Sequence, residues 1–220
     1  MAIPKEKRDI WTKEEKLEYY RAENQKIVPG QILCVGSSLM EQFPIEKFAA
    51  ENSASVIIYN RGIGGYVTQE LLDAVDVCIL DVMPSRIFIN IGTNDLSNPE
   101  MPLERIMELY GEILSRTERA LPDTEIYLMA YYPINYEAAV PEMKECLKIR
   151  TNEKINRANE LVKKLAEVHG AKYIDLNVPL KDKEGNLKAE YTVEGMHIKE
   201  AGYRAIYEEF MKYATEPRWK

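Results

Sequence analysis

Short apolar runs alternate along this 220-residue chain with longer stretches whose apolar residues recur every three or four positions. This alternation constrains the fold most strongly. Apolar runs of this length are typical of strands buried on both faces, whereas the longer spacing is typical of amphipathic helices. We therefore predict five strands, over residues 32–36, 55–60, 86–92, 125–131 and 171–176.

The stretches between the last three predicted strands have helical spacing. The first, over residues 103–121, predicts one long helix, and the second, from Leu147 to Leu165, predicts another that ends at Gly170. The charged segment 11–26, before the first strand, also predicts a helix. Strands that alternate with helices imply right-handed crossovers and a parallel sheet covered on both faces.

The predicted fold class is therefore α/β: a three-layer α/β/α sandwich around a flavodoxin-like five-stranded parallel sheet. Hydrophobic residues make up 45% of the chain, which at this length is enough for one sizeable core. We expect a single domain over residues 1–220, in which residues 1–29 form a helical extension packed on the core.

The charge of the chain limits its partners. A formal net charge of −7 and an isoelectric point near 5.1 argue against a nucleic-acid partner, because phosphates require a basic patch that no segment supplies. No apolar run approaches the roughly 18 residues of a membrane span, and the first residues lack a signal-peptide core. We expect a cytoplasmic protein, and homo-oligomer formation stays open.

The three cysteines, Cys34, Cys78 and Cys146, lie in different segments without a CxxC spacing. Their odd number and wide separation argue against a disulfide framework or a metal cluster. Cys34 lies within an apolar strand run, where a buried free thiol is expected. We predict no metal and no cofactor.

Polar and glycine-rich segments follow the predicted strands. They read GSS at 36–38, NRGIGGYVT at 60–68, GTND at 92–95 and YYPINY at 131–136, and EGMH follows the last strand at 194–197. In parallel sheets ligands bind beyond the carboxyl ends of the strands, so we expect these segments to meet at one edge.

Together these segments supply what acyl transfer needs. A serine hydroxyl requires a histidine that accepts its proton, and donors that hold the oxyanion. The chain has only two histidines. His169 ends a helix just before Gly170, where a structural role is expected, whereas His197 precedes the last helix in a loop that can reach the sheet edge. Each segment alone is weak evidence, and together they favour a serine hydrolase.

The ordered blocks VGSSLM, NRGIGG, IGTND and EGMHIKEAGY resemble those of the SGNH hydrolase superfamily, also called GDSL-type esterases and lipases. The resemblance covers about residues 30–212. It implies that Ser38 is the nucleophile and His197 the base. It also implies an oxyanion hole formed by the backbone N–H groups of Ser38 and Gly65 and the side-chain amide of Asn94.

Two positions depart from the superfamily pattern. Ser37 replaces the aspartate of the usual GDS block, and we expect this change to be tolerated because a hydroxyl can still make local hydrogen bonds in that turn. Glu194 replaces the aspartate that usually lies three residues before the histidine. Either Glu194 completes a Ser-His-Glu triad or a backbone carbonyl orients His197 in a dyad, and we favour the triad. Asp175 is a less favoured substitute, because turn capping explains it.

The predicted activity is hydrolysis of a short acyl ester, with acetyl favoured, of a small or carbohydrate alcohol. Lysophospholipase and thioesterase activities are alternatives within the same superfamily, and a non-catalytic anion-binding module of flavodoxin-like architecture is the rival from another class. Tyr131, Tyr132 and Tyr136 follow the fourth strand and are candidate substrate-lining residues.

Overall fold

A computed structural model describes all 220 residues. Its central sheet has five strands in the order β2-β1-β3-β4-β5, and all neighbouring strands are parallel. The strands are β1 (Ile32–Gly36), β2 (Ile58–Asn60), β3 (Arg86–Asn90), β4 (Glu125–Met129) and β5 (Lys172–Ile174). The predicted flavodoxin-like α/β fold is confirmed.

Nine α-helices surround the sheet. They are α1 (Lys13–Glu23), α2 (Ser38–Glu41), α3 (Ile45–Glu51), α4 (Thr68–Asp73), α5 (Val75–Cys78), α6 (Leu103–Ala120), α7 (Pro141–Ile149), α8 (Asn152–Val168) and α9 (Glu200–Thr215). None of these helices combines the length and the apolar character that crossing a membrane requires.

Successive strand residues point to opposite faces of the sheet, and this produces two core layers. In β1, Leu33 and Val35 pack in one layer with residues of α1, α4, α5, α6 and α8. Ile32 and Cys34 pack in the other layer with residues of α2, α3 and α9. The sheet is therefore covered on both faces, as the uninterrupted apolar runs predict.

The strands are shorter than predicted at several ends. β2 begins at Ile58 rather than at residue 55, and Ile57 is 46% exposed. β2 lies at the edge of the sheet and pairs only with β1, so fewer of its residues are held in extended ladders. β3 ends at Asn90 and β4 at Met129, each two residues before the predicted end. The residues that leave the sheet there begin the loops at its carboxyl edge.

The second long helix was predicted as one continuous element, and this prediction is wrong. The structure has two helices, α7 and α8, separated at Arg150 and Thr151. Arg150 has ψ +73°, which is not helical, and the Thr151 side chain accepts a hydrogen bond from the Lys154 N–H at 3.1 Å. Thr151 is thus an N-cap that starts a new helix.

The predicted N-terminal helix is present as α1. Thr12 and Glu15 form a reciprocal capping box at its start. The Lys16 ammonium, in the first turn of α1, pairs with the Glu41 carboxylate at 2.8 Å, and the Tyr20 hydroxyl, further along the helix, donates to the Gly62 carbonyl at 2.8 Å. These contacts join α1 to α2 and to the glycine-rich loop that follows β2.

Candidate active site

Ser38 is placed by a tight turn at the carboxyl end of β1. A Cβ atom on Gly36 would lie 2.1 Å from the Asn90 carbonyl oxygen, so the turn requires glycine at this close approach. Ser37 is the N-cap residue of α2 and is 1% exposed, and Ser38 is the first residue of α2 and is partly exposed. The side chain of Ser38, rather than that of Ser37, therefore reaches solvent at the sheet edge.

His197 and Glu194 lie in one compact turn before α9. Thr192 and Ile198 form an antiparallel bridge, and the Val193 N–H donates to the His197 carbonyl at 2.9 Å. The Gly195 N–H donates to the Thr192 hydroxyl oxygen at 2.8 Å. These bonds close the turn and fix the relative positions of the carboxylate and the imidazole.

The structure brings Ser38, His197 and Glu194 together in a hydrogen-bonded line. The Ser38 Oγ lies 2.9 Å from the His197 Nε2, and the His197 Nδ1 lies 2.6 Å from the Glu194 Oε1. Both distances are those of hydrogen bonds, and the second is short, as expected when one partner is charged. The extra methylene of the glutamate does not prevent its carboxylate from reaching the ring.

The environment of Glu194 favours the ionised form of its carboxylate. Burial raises the pKa of Glu194. The hydrogen bond and positive charge of His197, together with the His197 backbone N–H, lower this pKa by more than burial raises it. The net pKa of Glu194 lies below its usual value. A carboxylate that is ionised near neutral pH can hold the Nδ1–H tautomer of the imidazole, which leaves Nε2 free to accept a proton.

The glycine-rich loop after β2 is tied to the residues that follow β1. The Ile63 N–H donates to the Gly36 carbonyl at 3.0 Å, and the Gly64 N–H donates to the Glu41 carboxylate at 3.1 Å. Gly65 has φ +80°, a conformation that favours glycine. The Gly65 N–H donates to no acceptor within the protein, and the Ser38 N–H, at the first position of α2, has no acceptor within that helix. Both groups are therefore available to an external oxygen atom.

Asn94 follows β3 and faces the glycine-rich loop. Its Nδ2 donates to the Tyr66 carbonyl at 2.9 Å, and its Oδ1 accepts a hydrogen bond from the Arg150 Nη2 at 2.9 Å. The amide NH₂ group has two N–H bonds, so one donor remains after the bond to Tyr66. Asn94 thus lies where the sequence predicts it, with a donor to spare.

These contacts give a nucleophile, a base with an orienting carboxylate, and unpaired N–H donors at one edge of the sheet. This is the set of groups that acyl transfer through a covalent intermediate requires. The structure contains no group of three or more His, Cys, Asp or Glu side chains arranged to hold a metal ion. The catalytic roles of Ser38, His197, Glu194, Gly65 and Asn94 stay predictions.

Two of the predicted lining residues lie elsewhere. Tyr131 is fully buried and Tyr132 is 3% exposed, and they pack in opposite core layers. The prediction that these two side chains line a substrate site is wrong. The backbone just after β4 directs the two rings to opposite faces of the sheet, where each ring packs in a core layer. Tyr136 is half-buried with Lys144 above its ring at 4.5 Å, and its lining role stays a prediction.

The two residues assigned to structural roles lie away from the triad. Asp175 is exposed and accepts a hydrogen bond from the Asn177 N–H at 2.9 Å, which is a turn cap. His169 ends α8, and its Nδ1 contacts the Glu118 carboxylate of α6 at 3.1 Å rather than helix carbonyls.

The sequence reasoning missed the charged residues that support the site. Arg150 contacts Asn94, and Lys16 pairs with Glu41, which in turn holds the Gly64 N–H. The Thr151 cap signal, a threonine with an acidic residue two positions later, marks the helix break that places Arg150. No local pattern marks the Lys16–Glu41 pair, because its partners are joined only by tertiary packing.

Comparisons with known proteins agree with this geometry. The profile of the GDSL-like Lipase/Acylhydrolase family matches residues 36–205. A solved structure from Streptococcus pneumonia, of a protein described as a candidate platelet activating factor, is 32% identical with a TM-score of 0.82. The alignment covers 92% of each chain.

More distant structures share the fold. An acylhydrolase candidate from Bacteroides fragilis is 18% identical with a TM-score of 0.75, over 91% of this chain and 96% of the other. An acetylxylan esterase from Geobacillus stearothermophilus is 14% identical with a TM-score of 0.66, over 86% and 96%.

Two curated proteins are similar in sequence. N-acylneuraminate cytidylyltransferase of Escherichia coli is 25% identical over 82% of this chain, and the chain spans 39% of that enzyme's length. The GDSL esterase/lipase WDL1 of Oryza sativa is 23% identical over 72% of this chain, which spans 65% of its length.

Proposed function

Because this chain belongs to the GDSL-like lipase/acylhydrolase family, we propose that it is a serine esterase that cleaves a short acyl ester of a small or carbohydrate alcohol. Acetyl is the favoured acyl group. The observation that carries the proposal is the line of hydrogen bonds from Ser38 through His197 to Glu194, with distances of 2.9 and 2.6 Å. Nothing else in the chain offers a hydroxyl with both a base and an orienting carboxylate.

In the proposed reaction the Ser38 Oγ attacks the ester carbonyl carbon while its proton passes to the His197 Nε2. Glu194 stabilises the imidazolium that results. His197 then donates this proton to the leaving alcohol, and an acyl group remains on Ser38. Water, deprotonated by His197, attacks the acyl carbon of the acyl-enzyme; as the bond from this carbon to the Ser38 Oγ breaks, His197 returns the proton to Oγ, and the carboxylic acid is released.

The negative charge of each tetrahedral intermediate lies on the former carbonyl oxygen. The free N–H groups of Ser38 and Gly65 and the second N–H of Asn94 are the proposed donors to this oxygen. Since these groups are held by the backbone and by fixed side-chain contacts, little reorganisation accompanies charge development.

A cavity of about 570 Å³ borders the turn that carries His197 at Val193 and Ile198, and none of the proposed catalytic residues lines it. Support for a carbohydrate alcohol comes instead from the comparisons with known structures. The shared fold with acetylxylan esterases makes acetylated sugars the first natural substrates to test.

A panel of p-nitrophenyl esters from acetyl to decanoyl tests the proposal, followed by acetylated sugars and lysophospholipids. We expect the highest kcat/KM with acetyl or another short chain, and no turnover above background by Ser38→Ala. Equal hydrolysis by the wild type and Ser38→Ala would overturn the esterase proposal. A maximum at long chains or on lysophospholipids would overturn the short-acyl part and favour the lipase alternative.

A further inference from the structure

Arg150 is a buried cation without a direct ion-pair partner. It is 3% exposed and no carboxylate lies within 4.0 Å of its guanidinium, although the more distant carboxylates of Asp95 and Glu194 act on its charge. Its hydrogen-bond partners are neutral: Asn94 Oδ1 at 2.9 Å, Ser97 Oγ at 2.8 Å and Met196 Sδ at 2.5 Å. Burying a charge that is not directly paired with a counter-charge is costly, so an arginine kept at this position calls for an explanation.

The helix break between α7 and α8 positions the Arg150 side chain. Arg150 caps the end of α7, where its N–H donates to the Cys146 carbonyl at 3.0 Å, and Thr151 starts α8. Met196 is the residue before His197, and Ser97 follows the GTND segment. The guanidinium therefore lies between the loop that carries Asn94 and the loop that carries His197.

The bond between Arg150 and Asn94 determines which way the Asn94 amide points. A guanidinium only donates hydrogen bonds, so the amide atom that faces it must be the oxygen. On the other side, the Tyr66 carbonyl can only accept, so it must face the NH₂ group. A flipped amide would lose both bonds and place like groups together.

We infer that Arg150 is a positioning residue for ester hydrolysis: it holds the Asn94 amide with its second N–H directed to the oxyanion and adds a fixed positive charge behind that donor. This inference rests on the proposed function of Asn94. Arg150 itself contacts neither substrate nor reacting atoms. Its removal is therefore expected to lower kcat through Asn94 while KM changes little.

A double-mutant cycle on kcat for p-nitrophenyl acetate tests the inference. The variants are Arg150→Met, Asn94→Ala and the double substitution, with Arg157→Met on the exposed face of α8 as the matched control. We expect Arg150→Met to lower kcat by about 10- to 100-fold in the wild-type background and by less than about 3-fold in the Asn94→Ala background. Arg157→Met should retain wild-type kcat.

Arg150→Lys serves as the second variant, because it keeps the charge and loses the planar fork. It should lose about 3- to 10-fold in kcat, again only when Asn94 is present, and it carries the cycle if Arg150→Met does not fold. An equal fold-loss in both backgrounds, or an unchanged kcat, would overturn the inference. Failure of the proposed function is recognised separately: the wild type would then be no faster than Ser38→Ala, and the inference would fall with it.

Discussion

The Nε2 of His197 lies 2.9 Å from the Oγ of Ser38, although 159 positions separate the two residues in the chain. The sheet explains this contact. Ser38 follows β1 directly, and the His197 turn reaches the same carboxyl edge from the segment before α9. The Tyr203 hydroxyl of α9 donates to the Leu39 carbonyl at 2.7 Å, which ties the helix after the histidine to the helix that carries the serine.

The first prediction concerns Asn94, whose second N–H is the proposed side-chain donor to the oxyanion. Removal of one such donor costs about 3 to 4 kcal/mol in the transition state. Asn94→Ala should therefore lower kcat for p-nitrophenyl acetate by about 10² to 10³ with a smaller change in KM. Steady-state kinetics measure both constants. A raised KM at constant kcat would identify Asn94 as a substrate-binding residue instead.

The second prediction concerns the part of Glu194 in catalysis. Glu194→Gln keeps the shape of the side chain but removes the charge that stabilises the His197 imidazolium. In serine proteases the corresponding loss is about 10⁴ in kcat, and a partly exposed glutamate should contribute less, so we predict about 10 to 10³. Measurements of kcat from pH 6 to 9 for the wild type and Glu194→Gln test this prediction. Full kcat in Glu194→Gln, with His197→Ala inactive, would leave a Ser38–His197 dyad.

The third prediction follows from the lowered pKa of Glu194. The folded protein keeps this carboxylate ionised to lower pH than the unfolded chain, where its pKa is about 4.3. The unfolded state then binds more protons, so the stabilisation is present above about pH 4.3 and is lost as pH falls through the folded pKa. We expect the Tm of Glu194→Gln to lie below that of the wild type at pH 7.

Thermal unfolding followed by circular dichroism between pH 3 and 7 measures this difference. The gap in Tm between wild type and Glu194→Gln should narrow as the pH falls below about 4, because protonation removes the same charge as the substitution. A gap that stays constant down to pH 3 would show that the carboxylate charge contributes nothing to stability.

The fourth prediction concerns the buried ion pair between Lys16 and Glu41, whose side chains are 5% and 3% exposed. Removal of one partner of such a pair costs about 3 to 5 kcal/mol, because the other charge stays buried. Lys16→Met should therefore lower Tm by about 10 °C. It should also lower kcat, since Glu41 holds the Gly64 N–H beside the proposed oxyanion donor Gly65.

An exposed ion pair provides the control. Lys212 and Glu209 pair at 2.6 Å, and their side chains are 72% and 45% exposed. Pairs at such sites contribute at most about 1 kcal/mol, so Lys212→Met should shift Tm by no more than about 3 °C. If Lys16→Met behaved like Lys212→Met, the Lys16–Glu41 pair would have no part in holding the glycine-rich loop.

The sheet was predictable because its signals are local. An apolar run such as Ile32–Gly36 specifies a strand buried on both faces, and the ends of parallel strands converge by topology alone. The assignment of Ser38 and His197 came from the resemblance of their blocks to a known superfamily, and their catalytic roles stay predictions. Strand ends were less predictable, since the edge strand β2 is shortened by its lack of a second neighbour.

Side-chain environments were harder to predict, because they depend on tertiary packing. Tyr131 and Tyr132 come just after a strand and were expected to line the site, yet both rings are in the core. Arg150 lies in a stretch whose apolar spacing is helical on both sides of the break between α7 and α8. In the sequence, only the N-cap residue Thr151 indicates that break. Lys16, the partner of Glu41, lies in α1, outside the sequence blocks that resemble the superfamily.

Covalent capture of the nucleophile tests the central claim most directly. Ser38 is partly exposed and contacts His197, whereas the Ser37 hydroxyl is buried and has no hydrogen-bond partner. An organophosphonate probe followed by mass spectrometry of the digested protein locates the adduct. We predict one adduct per chain, on Ser38, retained in Ser37→Ala and absent in Ser38→Ala and His197→Ala. An adduct on Ser37, or labelling that persists in Ser38→Ala, would contradict the account.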